Sequence, residues 1–175
     1  SFFEELNPDY SVRFVEEDTP SGTAGSLKML AGSIQGSFFV TNCDVIISAD
    51  YAEILRHHQA NKNDVTLVGS MKTFHIPYGV CEIQNGGELS QIHEKPEYNL
   101  LVNTGMYVLE ASVLDLIPPR RMFHTTDLIE AIKKAGGTVG VYPISEGAWL
   151  DTGEWEEYRR AVQHLGILAS AEGID

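Results

Sequence analysis

The stretch 38–44, FFVTNCD, constrains the fold more than any other part of the chain. An apolar, β-branched run that follows Gly36 and stops at polar residues predicts a buried strand. In open α/β sheets, ligands bind beyond the carboxyl ends of the strands. Asp44 is therefore predicted to stand at a ligand-binding edge, where it would hold a divalent metal that binds phosphates. The alternative is that Asp44 caps the helix that follows.

A second acid, Asp151, also follows an apolar run late in the chain. Two carboxylates completed by substrate phosphates are a usual way to hold Mg²⁺. Such an ion offsets the charge that develops during displacement at phosphorus. The alternative is that Asp151 caps a helix starting near Glu154, because Asp-Thr-Gly is favourable capping chemistry.

The order of the elements predicts an α/β fold. A strand at 12–15, a glycine-bearing loop with a helix, the strand before Asp44, a helix and a strand at 65–69 follow one another. This alternation is typical of parallel strands with helical crossovers. Alternating runs around Asn85-Gly86 then predict a β-hairpin. We expect a mixed, mostly parallel sheet with flanking helices and a hairpin insertion.

Composition excludes several classes of partner. The chain has 175 residues, which is the length of one ordinary domain. Its net charge of -13 disfavours binding to nucleic acid and to anionic membrane surfaces. No apolar run approaches the roughly 18 residues that would span a bilayer. Cys43 and Cys81 lie in apolar contexts and are predicted to be buried thiols of a cytoplasmic protein.

A phosphate substrate would need local cations, and Lys95 is the best candidate. It follows a predicted strand and precedes Pro96, and a lysine suits phosphate as a compact point charge. Its neighbour Glu94 could accept hydrogen bonds from sugar hydroxyls. The alternative is an ordinary surface ion pair between the two. The loop Gly22–Gly25 could let a ligand approach the backbone, or it could be only a turn.

These motifs, taken in order, resemble those of the sugar-1-phosphate nucleotidyltransferases, the nucleoside-diphosphate-sugar pyrophosphorylases. The resemblance spans roughly residues 12–165, and the order and spacing of the motifs make it specific to the family. The segments that carry it are Gly22-Thr23-Ala24-Gly25-Ser26, Asn42-Cys43-Asp44, Tyr78-Gly79-Val80, Glu94-Lys95-Pro96, Asn103-Thr104-Gly105 and Trp149-Leu150-Asp151-Thr152-Gly153.

The resemblance implies a Rossmann-like domain that joins an NTP to a sugar 1-phosphate and releases pyrophosphate. It implies that Asp44 and Asp151 bind Mg²⁺ and that Lys95 contacts phosphate, these three being the catalytic residues. The substrate-binding residues that it implies are Gly22, Thr23, Ala24 and Gly25 beside the base, Gly79, Glu94, Asn103, Thr104 and Gly105 at the sugar and its phosphate, and in addition Asn42.

The chain also departs from the family pattern. The family begins with a strand and a glycine-rich loop carrying an Arg, followed by a Pro-Lys-Pro type segment, and this sequence begins at Ser1 without them. We therefore expect residues 1–175 to be a single, partial catalytic domain without its N-terminal nucleotide-binding segment, poorly active by itself. An exposed sheet edge would favour a homodimer.

Two other function classes stay open. A metal-dependent glycosyltransferase also places acids at a strand end, but it would release no pyrophosphate. A regulatory subunit on the same fold would bind sugar phosphate or nucleotide without turnover. Within the resembled family, Cys43 stands where many relatives have Gly, which hints at enzymes for bacterial cell-surface polysaccharides, some of them guanylyl-transferring.

Overall fold

The structure, a computed structural model, describes residues 9–153. Its contacts divide the chain into two compact units. In the described part, the first unit comprises 9–38 and 110–137, and the second comprises 39–109 and 138–153.

A four-stranded mixed sheet organises the second unit, which confirms the predicted fold class. The strand order is β1-β6-β3-β7. Strand β3 pairs antiparallel with β6 and parallel with β7. Its strands are β1 (Ser37–Thr41), β3 (Val65–His75), β6 (Glu97–Glu110) and β7 (Val139–Ile144).

One helix, α1 (Tyr51–Ala60), contributes to the core of this unit. Asp50 caps it: the Asp50 carboxylate accepts the amides of Ala52 at 2.8 Å and of Glu53 at 3.1 Å. Burial of β-branched and aliphatic side chains is the main stabilising contribution here. The buried cluster consists of Ile47, Ile54, Val68, Met106, Val108 and Ile144.

Two short antiparallel ladders complete the second unit. Strands β4 (Val80–Ile83) and β5 (Leu89–His93) form the predicted hairpin. Gly86 and Gly87 in its turn have φ of +88° and +83°, values that favour glycine, so the hairpin prediction is confirmed. The other ladder joins β2 (Val45–Ile47) to β8 (Trp149–Asp151), and it matters most for the site.

Helical segments build the first unit. The 3-10 helices Gly25–Leu30 and Ala111–Leu116 pack on one another, and α2 (Thr125–Lys134) packs on the second of them. The helices α1 and α2 are each ten residues long, and no helix within residues 9–153 is long and apolar enough to cross a bilayer. The buried side chains of this unit include Val113, Leu114, Ile117, Leu128 and Ile132.

Three local predictions are wrong. Residues 12–15 form no strand, because they have no ladder partner among residues 9–153 and their side chains are exposed. The helix after the glycine loop is only a six-residue 3-10 helix. Cys43 and Cys81 are exposed, since one lies in the turn after β1 and the other on the exposed hairpin strand β4.

Candidate active site

The two predicted metal-binding acids lie side by side in the second unit. Asp151 is the last residue of β8 and pairs with Val45, the residue after Asp44. The Asp44 carbonyl oxygen accepts the Thr152 amide at 2.7 Å and the Thr152 hydroxyl at 2.9 Å. The ladder and these two bonds therefore hold both acids at one place, although they are far apart in the sequence.

Gly153 shows how close the two carboxylates come. A Cβ built on Gly153 would lie 3.1 Å from Asp44 Oδ2 and 3.2 Å from Asp151 Oδ1. Both distances are tighter than ordinary Cβ contacts, so the two carboxylate oxygens face the same small space beside the glycine. The Gly153 amide also donates to Asp151 Oδ1 at 3.0 Å, which orients that carboxylate.

The helix-capping alternative for Asp44 is wrong, because Asp50 caps the helix that follows. Asp44 instead lies in the turn between β1 and β2. The corresponding alternative for Asp151 concerns a helix that would start near Glu154, which lies outside the described residues.

The donor set of this pair fits a magnesium ion. Mg²⁺ prefers oxygen ligands and usually keeps one or two carboxylates together with water and substrate phosphates. Asp44 and Asp151 supply two carboxylates, and one oxygen of each lies next to the same space beside Gly153. Within residues 9–153 no group of three or more His, Cys, Asp or Glu could hold a metal, so the remaining ligands would come from substrate and solvent.

Asn42 packs against the backbone of Gly105. The Asn42 amide donates to the Gly105 carbonyl at 3.0 Å, and a Cβ built on Gly105 would lie 2.7 Å from Asn42 Nδ2. Gly105 also has φ of +83°. The position therefore requires glycine for two reasons: its backbone conformation is unfavourable for other residues, and the Asn42 side chain occupies the space that a Cβ would need.

The neighbours of Gly105 have structural contacts of their own. Asn103 Nδ2 donates to the Tyr107 hydroxyl at 2.6 Å, and its Oδ1 accepts the Gly105 amide at 3.2 Å. Thr104 is buried and donates its hydroxyl to the Val68 carbonyl at 2.8 Å. The segment thus presents backbone and the Asn103 side chain, whereas the Thr104 side chain points into the sheet.

Gly79 and Glu94 meet across the hairpin. A Cβ on Gly79 would lie 3.1 Å from Glu94 Oε2. Lys95 follows with φ of +46°, an uncommon conformation for a lysine. Neither Glu94 nor Lys95 belongs to an ion pair recorded among residues 9–153, so the surface-ion-pair alternative is not observed there. No recorded contact in that range joins Lys95 to either aspartate.

The loop Gly22–Gly25 belongs to the first unit. Gly22 has φ of +88°, and a Cβ there would lie 2.6 Å from the Phe123 carbonyl oxygen. That oxygen accepts the Ala24 amide at 3.1 Å, and Thr23 Oγ1 accepts the Thr125 amide at 3.0 Å. These contacts with Phe123 and Thr125 have no local signal in the sequence, because the two residues lie far along the chain from the loop.

Thr152 and Gly153 were not predicted as site residues. Their only signal was their place directly after Asp151 in an Asp-Thr-Gly segment. The structure gives Thr152 two hydrogen bonds to Asp44 and places Gly153 between the carboxylates.

Comparisons with known proteins identify the family of this chain. The nucleotidyl transferase family matches residues 3–166. The mannose-1-phosphate guanyltransferase of Yarrowia lipolytica is 30% identical over 155 residues, covering 85% of this chain and 42% of that protein. The mannose-1-phosphate guanylyltransferase of Mycobacterium tuberculosis is 30% identical over 167 residues, covering 91% of this chain and 46% of that protein.

Solved structures share the fold. HddC from Yersinia pseudotuberculosis has a TM-score of 0.69 at 22% identity, covering 94% of this chain and 71% of that one. UDP-glucose pyrophosphorylase from Acinetobacter baumannii has a TM-score of 0.62 at 23% identity, covering 87% of this chain and 59% of that one. The chain spans less than half the length of the two curated relatives named above. Because the family match extends over most of its length, the chain belongs to the nucleotidyl transferase family.

Proposed function

We propose that this chain carries the acidic metal site of a sugar-1-phosphate nucleotidyltransferase. An oxygen of the sugar 1-phosphate attacks the α-phosphorus of an NTP. The bond from that phosphorus to the bridging oxygen breaks, and pyrophosphate leaves with NDP-sugar as the other product. The observation that carries the proposal is the convergence of Asp44 and Asp151 on Gly153, in a chain that belongs to this family.

Asp44 and Asp151 would hold Mg²⁺, which when bound would neutralise phosphate charge. Part of this arrangement is set before substrate arrives: Thr152 holds the backbone of Asp44 through its carbonyl, and the Gly153 amide orients the Asp151 carboxylate. Such preorganisation lowers the reorganisation needed during phosphoryl transfer.

The other predicted residues take the roles that the resemblance implies. Lys95 would contact the sugar phosphate, where its cation offsets some of the net charge of -13. Glu94, beside Gly79, would accept hydrogen bonds from sugar hydroxyls. The remaining assignments are Asn103, Thr104 and Gly105 at the sugar, Gly22, Thr23, Ala24 and Gly25 at the base, and Asn42 as a further substrate-binding residue.

For the substrates, we propose GTP and a hexose 1-phosphate, with mannose 1-phosphate as the first candidate. The curated relatives at 30% identity are named mannose-1-phosphate guanylyltransferases or guanyltransferases. A product for cell-surface polysaccharide synthesis agrees with the hint from Cys43.

The test is pyrophosphate release with Mg²⁺, using GTP, ATP, UTP and dTTP against mannose 1-phosphate and glucose 1-phosphate. It is run on this chain and on the longest open reading frame that contains it, because the curated relatives are more than twice as long. Release that depends on both substrates, and that falls at least a hundredfold in Asp44→Asn and Asp151→Asn, supports the proposal.

Asp50→Asn is the matched control. It makes the same chemical change in the same unit, and asparagine caps a helix about as well as aspartate, so both stability and activity should hold. If neither protein releases pyrophosphate with any pair of substrates, the proposal is overturned. Binding of nucleotide or sugar phosphate without release would favour the regulatory class, and sugar transfer from an NDP-sugar would favour a glycosyltransferase.

We further propose a cytoplasmic protein that self-associates. Two exposed free thiols suit a reducing compartment. Strand β1 is an edge of the described sheet, and exposed edges invite pairing with another chain. Light scattering after size exclusion tests the second point, since a monomer at high concentration would contradict it.

A further inference from the structure

Lys72 lies over the indole ring of Trp149, two residues before Asp151. Its ammonium nitrogen is 5.4 Å from the ring centroid, within the range of a cation–π contact. Lys72 stands on β3 and is partly buried, whereas Trp149 begins β8. The contact therefore ties a central strand of the sheet to the short strand that ends in a predicted metal ligand.

Trp149 has an unusual set of polar contacts. Its indole nitrogen is buried and has no hydrogen-bond partner among the described residues. The ring packs against the buried cluster of the second unit, and the residue pairs with Ile47 in the ladder. In the described part of the chain, the indole ring thus contacts the Lys72 ammonium, while its nitrogen makes no hydrogen bond.

The orientation of Asp151 depends on the strand that Trp149 starts. Side chains alternate along a strand, so Trp149 and Asp151 lie on the same face of β8, about 7 Å apart. The ladder of β8 with β2 spans only three residue pairs. The Thr152 bonds to Asp44 hold the Asp151 end of this short ladder, and the contact of Lys72 with Trp149 adds to its other end.

We propose that Lys72 is a positioning residue for the acid pair, acting through Trp149. This inference rests on the proposed function, because it takes Asp44 and Asp151 to be metal ligands. Within residues 9–153 Lys72 has no recorded ion pair. Its contact with Trp149 stabilises β8 in the position that brings the Asp151 carboxylate beside that of Asp44.

A purely electrostatic role predicts the opposite effect. A positive charge near two carboxylates repels a divalent cation, so its removal would tighten metal binding. A positioning role predicts weaker metal binding when the cation is removed, because Asp151 is then held less firmly. The sign of the change therefore separates the two explanations.

The test is Mn²⁺ binding without substrates, read from the quenching of Trp149 fluorescence. The sequence has two tryptophans, so all variants carry Trp155→Phe, which leaves Trp149 as the reporter. Lys72→Met keeps the apolar stem and removes the charge, and we expect it to weaken Mn²⁺ binding about two- to fivefold, the range of an exposed to partly buried cation–π contact.

Two further variants complete the design. Lys72→Arg retains a cation that stacks on aromatic rings, and it should restore wild-type Mn²⁺ affinity. Lys62→Met changes a lysine in the turn after α1 and should leave the affinity unchanged. Without metal, Lys72→Met should also shift the emission of Trp149, whereas Lys62→Met should not.

The outcomes distinguish this inference from the function on which it rests. If Mn²⁺ does not bind saturably, or if Asp44→Asn binds it as well as wild type, the proposed metal site fails. If Asp44→Asn loses binding while Lys72→Met binds as tightly as wild type or more tightly, the positioning role alone is overturned. Failure of Lys72→Arg to restore affinity also overturns it.

Discussion

Thr152 makes two hydrogen bonds to the same atom, the backbone carbonyl oxygen of Asp44. The Thr152 amide and hydroxyl donate to the Asp44 carbonyl at 2.7 and 2.9 Å. Thr152→Val keeps the shape and the amide bond but removes the hydroxyl bond, and we expect a loss of about 0.5–1.5 kcal/mol in unfolding free energy. Thr152→Ser retains the hydroxyl and should lose much less. Equal losses in urea unfolding would contradict the assignment.

A methyl group at Gly153 should disturb both carboxylates. The built Cβ lies 3.1 Å from Asp44 Oδ2 and 3.2 Å from Asp151 Oδ1, so both oxygens must move away in Gly153→Ala. We expect Mn²⁺ affinity to fall by about tenfold, which corresponds to ~1.4 kcal/mol, measured by fluorescence or calorimetry. Gly147→Ala is the control, because a Cβ there meets nothing within 4 Å. An unchanged affinity in Gly153→Ala would show that the carboxylates do not share this space.

Gly105→Ala should be among the most destabilising changes in the second unit. It puts a side chain at φ +83° and brings its Cβ to 2.7 Å from Asn42 Nδ2. Strain and collision together should lower the unfolding free energy by about 2–4 kcal/mol. Gly86→Ala has a similar φ of +88° but open space, so it isolates the strain, which should cost about 1 kcal/mol. A similar loss in both variants would mean that Asn42 adapts freely.

Thr66 is the common partner of two buried polar side chains. Its hydroxyl oxygen lies 2.8 Å from His58 Nδ1 and accepts Asn63 Nδ2 at 2.9 Å. Thr66→Val removes two buried hydrogen bonds, those to His58 Nδ1 and Asn63 Nδ2, and we expect a loss of about 2–3 kcal/mol. Thr73→Val, the same change at an exposed bond on β3, should lose under ~1 kcal/mol. Chemical denaturation of both variants is the measurement.

The parts of the site that could be predicted are those with a local signature. An apolar run that ends at an acid marked Asp44 and Asp151, and Asn85-Gly86 between alternating runs marked the hairpin, which the structure confirms. Both signals depend on residues that are neighbours in the sequence, so the chain itself displays them.

The parts that could not be predicted depend on distant partners. The ladder of β2 with β8 has three residues on each side, too few for a periodic pattern to reveal. The partners of the Gly22–Gly25 loop, at 123–125, likewise carry no complementary motif. Residues 12–15 were predicted to form a strand and do not. Their composition suits a strand, but a strand forms only beside a partner strand.

The ladder between β2 and β8 also has a consequence for biosynthesis. Asp44 is made early and Asp151 is made late, and Thr152, which holds Asp44, is made later still. A growing chain therefore cannot assemble the acid pair until residues 151–153 have left the ribosome, even if the central sheet strands have already paired. A chain that stops before them contains the residues of the hairpin and of α1 but only one acid of the pair. A chain that terminates before residue 151 therefore lacks the carboxylate that faces Asp44 beside Gly153.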